Sequence, residues 1–146
     1  MRLRTIEKVN VKDKRVLMRV DLNVAMQGGV VQDDFRIRRI IPTIRLLSKK
    51  GAKVILCSHL GRPEQKEQKR SQEQKRDQTT RGRKADSFSL SLRPIAQLLE
   101  KELGQKVVFV PDCVGVQAEQ AVTALTPGQV LLLENVRFYP EEEKNS

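Results

Sequence analysis

The residues able to do chemistry in this 146-residue chain fall directly after its apolar segments. Asp21, Leu22 and Asn23 follow the run 15–20. His59, Leu60, Gly61 and Arg62 follow 53–58, and Arg137 lies just beyond 129–133 in the stretch Glu134-Asn135-Val136-Arg137-Phe138. Arg36 opens a helical pattern. If the apolar runs are parallel strands, their carboxyl ends share one rim, and open parallel sheets bind ligands along that rim. Three arginines, a histidine, an aspartate and an asparagine then converge there. Arginine forks match the oxygens of phosphate and carboxylate, and helix N-termini add N–H donors. The chemistry implied is recognition of a small anion with several oxygens. Each residue also has an ordinary use: Asp21 as a turn former, His59 as a hydrogen-bonded structural group, Gly61 as a turn residue. Their agreement on one edge carries the site reading.

The elements that must position these residues follow from hydrophobic period. The run 15–20 is short and rich in strand formers, and Gly28-Gly29 between Val24 and Val30-Val31 marks a small hairpin. From Phe35 the period changes: Ile37, Ile40, Ile41, Ile44 and Leu47 lie on one face of an amphipathic helix. Asp33 or Asp34 caps its start, Lys49-Lys50-Gly51 closes it, and Pro42 is expected to kink it or shift its start. The continuous apolar run 53–58 is of the type buried on both faces of a parallel sheet. Leu92, Ile95, Leu98, Leu99 and Leu103 define a second helix, with Ser91 as N-cap, Pro94 in the first turn and Gly104 after the end. A third strand at 107–110, a short helix at 117–125 stopped by Pro127-Gly128, and a fourth strand at 129–133 complete the pattern. The order β-α-β-α-β-α-β predicts an α/β fold, a parallel sheet with helices on both faces. Residues 64–87 interrupt it. They are rich in Gln, Lys, Arg and Glu, have no aliphatic residue beyond Ala85, and read as a polar, disordered insertion between the second strand and second helix.

Composition narrows the classes. The formal net charge is +10, with 15 basic and 5 acidic residues in 1–62, 8 and 5 in 63–86, and 5 and 8 in 87–146. The excess therefore sits in the first 62 residues and suits an anionic partner. Part of it (Lys8, Lys12, Lys14, Arg38, Arg39, Lys49) reads as a solvated face. No apolar run approaches the roughly 18–20 residues of a spanning helix, and the first eight residues lack a signal-peptide core. Cys57 and Cys113 read as buried thiols in a reducing compartment. With one His and two Cys, no zinc site of ordinary ligand count is expected. These features point to a soluble, cytoplasmic chain without membrane partners. There is no Walker A loop, no G-x-G-x-x-G and no nucleophile elbow.

Four motifs in order carry a family resemblance: Val20-Asp21-Leu22-Asn23-Val24, Asp33-Asp34-Phe35-Arg36-Ile37-Arg38, Ser58-His59-Leu60-Gly61-Arg62-Pro63, and Leu133-Glu134-Asn135-Val136-Arg137-Phe138 with the tail Pro140-Glu141-Glu142-Glu143-Lys144-Asn145. Together they resemble the N-terminal, phosphoglycerate-binding domain of phosphoglycerate kinase. The resemblance covers nearly all of the chain outside 64–87. It implies a three-layer α/β/α parallel sheet, incomplete, with 1–146 as one partial domain. The implied reaction is glycolytic phosphoryl transfer between 1,3-bisphosphoglycerate and ADP, giving 3-phosphoglycerate and ATP, by a kinase with a carboxyl-group acceptor. The implied substrate-binding residues are Asp21, Leu22, Asn23, Arg36, His59, Leu60, Gly61, Arg62 and Arg137. Asp21 and Asn23 would meet the substrate's carboxyl and hydroxyl end, and His59, Arg62 and Arg137 would hold its phosphate. Arg36 would be the catalytic residue, reaching the carboxyl end and the phosphoryl group in flight. Mg-ADP and Mg-ATP are implied cofactors whose site is not expected in this chain, nor is a metal site.

Departures accompany the matches. Leu22 and Ala25 stand where the family usually has Phe and Pro, Phe35 replaces a Thr or Ser, and Tyr139 stands where His is frequent. The insertion follows directly on Arg62-Pro63. The chain ends at Ser146, before the rest of that domain and the nucleotide domain. Turnover by the chain alone is therefore not expected, and a separately encoded nucleotide domain is a candidate partner. Two alternatives remain open: a non-catalytic 3-phosphoglycerate-binding paralogue, and a basic RNA-associated protein. Against the latter, no aromatic lies between Phe35 and Phe88 to stack on bases, so nucleic acid is not an expected partner.

Overall fold

The computed structural model describes residues 5–61 and 90–144; the segment 62–89, with Arg62 and the 64–87 insertion, lies outside the described residues. In chain order the elements are β1 (Arg15–Arg19), β2 (Met26–Gln27), β3 (Val30–Val31), α1 (Phe35–Lys49), β4 (Lys53–Cys57), α2 (Arg93–Leu103), β5 (Val107–Val110), α3 (Val116–Ala124), β6 (Val130–Leu133) and α4 (Pro140–Lys144). Short 3-10 turns at Ile6–Lys8 and Val136–Phe138 flank them. β1, β4, β6 and β5 form a parallel sheet in that spatial order, and β2 and β3 pair as a separate antiparallel hairpin.

Strand order dictates the layers. The steps β1 to β4 and β4 to β5 run in one direction across the sheet, and β5 to β6 runs back. Because parallel crossovers are right-handed, the first two connections belong on one face and the third on the other. The packing agrees. Ile37, Ile44 and Leu47 of α1 and Ile95 and Leu99 of α2 are fully buried in one cluster with Val54, Leu56, Val130 and Leu132. Ile55, Val110, Leu131 and Leu133 point the opposite way and pack with Ala118 of α3 and with Leu125. Each fully buried aliphatic side chain contributes about 1.5–3 kcal/mol.

The second face is only partly covered. β1 is an edge strand in which Val16 and Met18 face the core, whereas Leu17 is 66% exposed. Beside it runs an open groove of about 720 Å³ lined by Leu17, Cys57, Cys113, Val114, Leu133 and Val136, among others. The cysteines are free and half-buried, which corrects the expectation of buried thiols: the groove leaves them partly uncovered. Burial still pushes both thiols up, Cys113 to about 11.

Local signals behaved as their chemistry requires, with four adjustments. Asp34 is the N-cap position of α1, yet Asp33 supplies the cap, its Oδ1 accepting the Phe35 N–H at 2.9 Å, while Asp34 pairs with Arg38 at 2.8 Å. α1 runs unbroken from Phe35 to Lys49 through Pro42, so the proline does not move the start. The N-cap of α2 is Leu92 instead of Ser91; Ser91 Oγ accepts the Arg93 N–H at 3.2 Å, and the Glu134 carboxylate, just after β6, takes the Leu92 N–H. α3 lies one residue earlier than expected. Gly51 and Gly104 end α1 and α2 with φ of 77° and 67°, the left-handed backbone that glycine adopts without penalty. Lys8, Lys12, Lys14, Arg38, Arg39 and Lys49 are all exposed, as a solvated basic face requires.

Candidate functional site

The site residues that can be placed stand at the carboxyl ends of β1, β4 and β6 and at the first turn of α1, and a chain of contacts joins five of them. Arg36 Nη1 donates to Asp21 Oδ2 at 2.6 Å. Asp21 Oδ1 accepts the Asn23 N–H at 3.1 Å, so Asp21 is a turn former and an ion-pair partner at once. Asn23 Oδ1 accepts the Gly61 N–H at 3.0 Å, and Gly61 O accepts from Arg137 Nη1 at 3.1 Å. The rim is thus continuous from Arg36 to Arg137 through Asp21, Asn23 and Gly61.

Leu22 and Leu60 take another part. Both residues are buried, 0% and 2% exposed, and their side chains belong to the core. The Leu22 N–H is bound by Ser58 Oγ at 3.0 Å and the Leu60 N–H by Asn135 Oδ1 at 3.2 Å. These residues anchor the loops on which Asp21, Asn23, His59 and Gly61 sit. Glycine suits position 61 because its φ is +63°; a Cβ there would also lie 2.6 Å from Leu90 Cδ2, a side-chain end that would have to shift.

Electrostatics distinguish the two ends. At the Arg36 end both partners are more than half exposed, 52% and 58%, and such a pair is worth about 0–1 kcal/mol. An anion can displace it cheaply. Partial burial pushes the Asp21 carboxyl up, but the Asn23 N–H and the Arg36 guanidinium outweigh it and hold the group below the usual aspartate value. Burial, reinforced by the nearby Arg137 charge, pushes His59 below the usual imidazole value. At the other end Arg137 is 19% exposed and faces Glu142 at 3.6 Å and Glu143 at 3.3 Å. Its Nε is buried without a hydrogen-bond partner among the described residues. Glu142 also pairs with Arg19, whose guanidinium holds that carboxyl low. Tyr139 OH donates to Asp112 Oδ1 at 2.6 Å, which pushes the phenol up to about 12 and fastens α4 to the loop after β5.

Sequence reasoning did not single out Ser58, Glu134 or Asn135 as functional, nor Arg19 and Glu142 as an ion pair. A signal was present for two of them. Glu134 and Asn135 follow a four-residue apolar strand without a break, and a polar pair at such depth must be satisfied from other segments. Both are buried: Glu134 accepts from Ser91 Oγ at 2.7 Å, from Leu92 N–H at 2.8 Å and from Asn135 N–H at 2.8 Å. Arg62 lies outside the described residues.

What the arrangement can do is hold an anion between a displaceable carboxylate–guanidinium pair and a second, more deeply set guanidinium, with His59 on the Gly61 loop. Among the described residues no group of three or more His, Cys, Asp or Glu is placed to hold a metal ion.

Comparison with known proteins converges on one family. A family model described as phosphoglycerate kinase matches residues 6–146. A phosphoglycerate kinase of Bartonella quintana is 48% identical over 145 residues, covering 99% of this chain and 32% of the relative. One of Xanthobacter autotrophicus is 43% identical over 143 residues, covering 98% and 31%. Among solved structures, the phosphoglycerate kinase of Pyrococcus horikoshii superposes with a TM-score of 0.74 at 32% identity, over 94% of this chain and 29% of that one. That of Coxiella burnetii gives 0.71 at 37%, over 97% and 30%. The chain spans only 31–32% of the length of these curated relatives. The motifs at the strand ends, the sheet they terminate and these matches agree: the chain belongs to the phosphoglycerate kinase family.

Proposed function

We propose that the rim formed by Asp21, Asn23, Arg36, His59, Gly61 and Arg137, together with Arg62, the next residue after Gly61 in the sequence, binds the phosphoglycerate end of the kinase substrates. In this reading the chain supplies the 3-phosphoglycerate and 1,3-bisphosphoglycerate site for reversible phosphoryl transfer to and from ADP in the cytoplasm. The observation that carries it is the unbroken contact path from Arg36 to Arg137 across three strand ends. That path presents two guanidinium groups along one edge, and the His59 imidazole belongs to the same loop as Gly61. Phosphoryl transfer depends on alignment and charge stabilisation more than on covalent catalysis, and these residues suit both tasks. Arg36, in the exposed pair, is free to leave Asp21 for a substrate oxygen and is the proposed catalytic residue. His59 gains a proton more readily once an anionic phosphate is beside it. Leu22 and Leu60 contribute through their main chain only.

Mg-ADP and Mg-ATP belong to the family's chemistry. The described residues offer no carboxylate grouping that fits the metal, and no step in this reading runs through it. No described helix is long and apolar enough to cross a membrane.

Titration of the chain with 3-phosphoglycerate by calorimetry tests the reading. Arg36→Ala and Arg137→Ala are each expected to weaken binding by roughly tenfold or more, the loss of a charge-assisted hydrogen bond. Unchanged affinity in both variants rejects the site.

A further inference from the structure

The side chain of Asn135 is fully buried, and all of its hydrogen-bonding capacity is used. Oδ1 accepts the Leu60 N–H at 3.2 Å and the Arg137 N–H at 3.1 Å. Nδ2 donates to Leu60 O at 2.8 Å and to Leu90 O at 3.0 Å. One carboxamide therefore clamps both polar groups of Leu60, the backbone of Arg137 and the first described residue after the 62–89 segment. Leu60 lies between His59 and Gly61, and Gly61 O receives the Arg137 guanidinium. The separation of the His59 loop from Arg137 is thus set by Asn135 through two backbones. Asn135 itself is held by its own N–H on Glu134 at 2.8 Å. No ligand-facing role is left for its side chain.

We propose that Asn135 is a positioning residue for the anion site, fixing His59 and Gly61 relative to Arg137 through Leu60. This rests on the reading that the rim binds a phosphoglycerate. Both halves of the amide are needed. The acceptor alone would tether Leu60 and Arg137, but without the donors the carbonyls of Leu60 and Leu90 are buried and unpaired, and the loop is released.

The test uses the full 146-residue chain and two variants. Asn135→Asp keeps the acceptor and sets a carboxylate against the two carbonyls. Leu99→Ala, on the buried face of α2, removes stability by a cavity without touching the loop. Asn135→Asp is expected to lower 3-phosphoglycerate affinity about tenfold or more at mildly alkaline pH. The deficit relative to the unsubstituted chain shrinks as pH falls, because a buried carboxyl takes up a proton and regains a donor. Leu99→Ala is expected to keep affinity within about twofold, since it loses stability by cavity creation alone. Amide exchange gives a ligand-free reading at loop amides whose acceptors are untouched: protection at Gly61, bound to Asn23 Oδ1, and at Val136, bound to Ser58 O, falls about tenfold in Asn135→Asp while sheet amides hold. Full affinity in a folded Asn135→Asp chain, an equal loss in Leu99→Ala, or unchanged protection at Gly61 and Val136 each overturns the proposal. If the unsubstituted chain takes no 3-phosphoglycerate but exchange at those amides rises in Asn135→Asp, the positioning of the loop by Asn135 stands and the substrate reading falls.

Discussion

The two faces of the sheet are finished to different standards. Against α1 and α2, Val54, Leu56, Val130 and Leu132 are fully buried beneath two helices whose apolar stripes join the same cluster. Against α3, the cover is one short helix that contributes Ala118, and toward β1 it gives way to the open groove with Leu17 exposed. A sheet face is stabilised in proportion to the apolar area removed from water, so the closed face carries the cohesion of the fold. The rim residues belong to neither face. They are held by a lattice of hydrogen bonds at the strand ends, where the main chain of core residues meets the side chains of Ser58, Asn23 and Asn135.

Mutations can break or sharpen that contrast. The largest effect is expected at Ile44, fully buried on α1: Ile44→Ala should cost about 2–5 kcal/mol in urea-induced unfolding. Gly61→Ala comes next, at about 1–2 kcal/mol for an L-residue in left-handed backbone, with the Leu90 contact adding to it. It tests whether the rim depends on backbone geometry in the way the closed face depends on packing. Smallest in energy is Leu17→Ser on the open face, expected within about 0.5 kcal/mol. A loss near that of Ile44→Ala would show that the open face is covered in solution, and sedimentation would reveal by what.

The rim should also answer to pH while the closed face does not. The chain has a single histidine, so one imidazole resonance reports His59 without assignment. Its folded value lies below the ordinary 6.5 because burial and Arg137 disfavour the charged form. The folded state then binds fewer protons than the unfolded state. The contribution is present above the unfolded value and is lost as pH falls through the folded one. An NMR titration midpoint at or above 6.5 in the free chain contradicts this. Added 3-phosphoglycerate should move the midpoint upward.

Much of this was legible in the chain before any fold was drawn. Of Ile37, Ile40, Ile41, Ile44 and Leu47, which recur at helical spacing, all are buried except Ile40, which is half-buried. The Gly28-Gly29 hairpin and the glycine stops at 51 and 104 formed where a positive φ was needed. The expectation that Asp21, Asn23, Arg36, His59, Arg62 and Arg137 share an edge was a deduction from strand-end position. Contacts link Asp21, Asn23, Arg36 and Arg137 by way of Gly61. His59 stands on the Gly61 loop without a contact in that path, and Arg62 lies outside the described residues. Less legible was which partner each polar group would choose. Ser91 looked like a helix cap by its type and place, but Glu134, distant in sequence, takes the Leu92 N–H. The run Val16-Leu17-Met18 gave no sign that Leu17 would be left in water, because edge position is a property of the sheet.

By itself, the sequence determined the elements, their order and the residues at their carboxyl ends. Period, turn chemistry and capping act over a few residues, and the four motifs carry the family in the same local way. Only the tertiary structure decided the spatial order β1-β4-β6-β5, which face lay open, and how the rim was wired. Those depend on contacts between residues far apart in the chain, such as Asn135 with Leu60 and Leu90, or Arg137 with Gly61. A buried amide is satisfied by whichever backbone groups the fold delivers to it, and no local pattern names them.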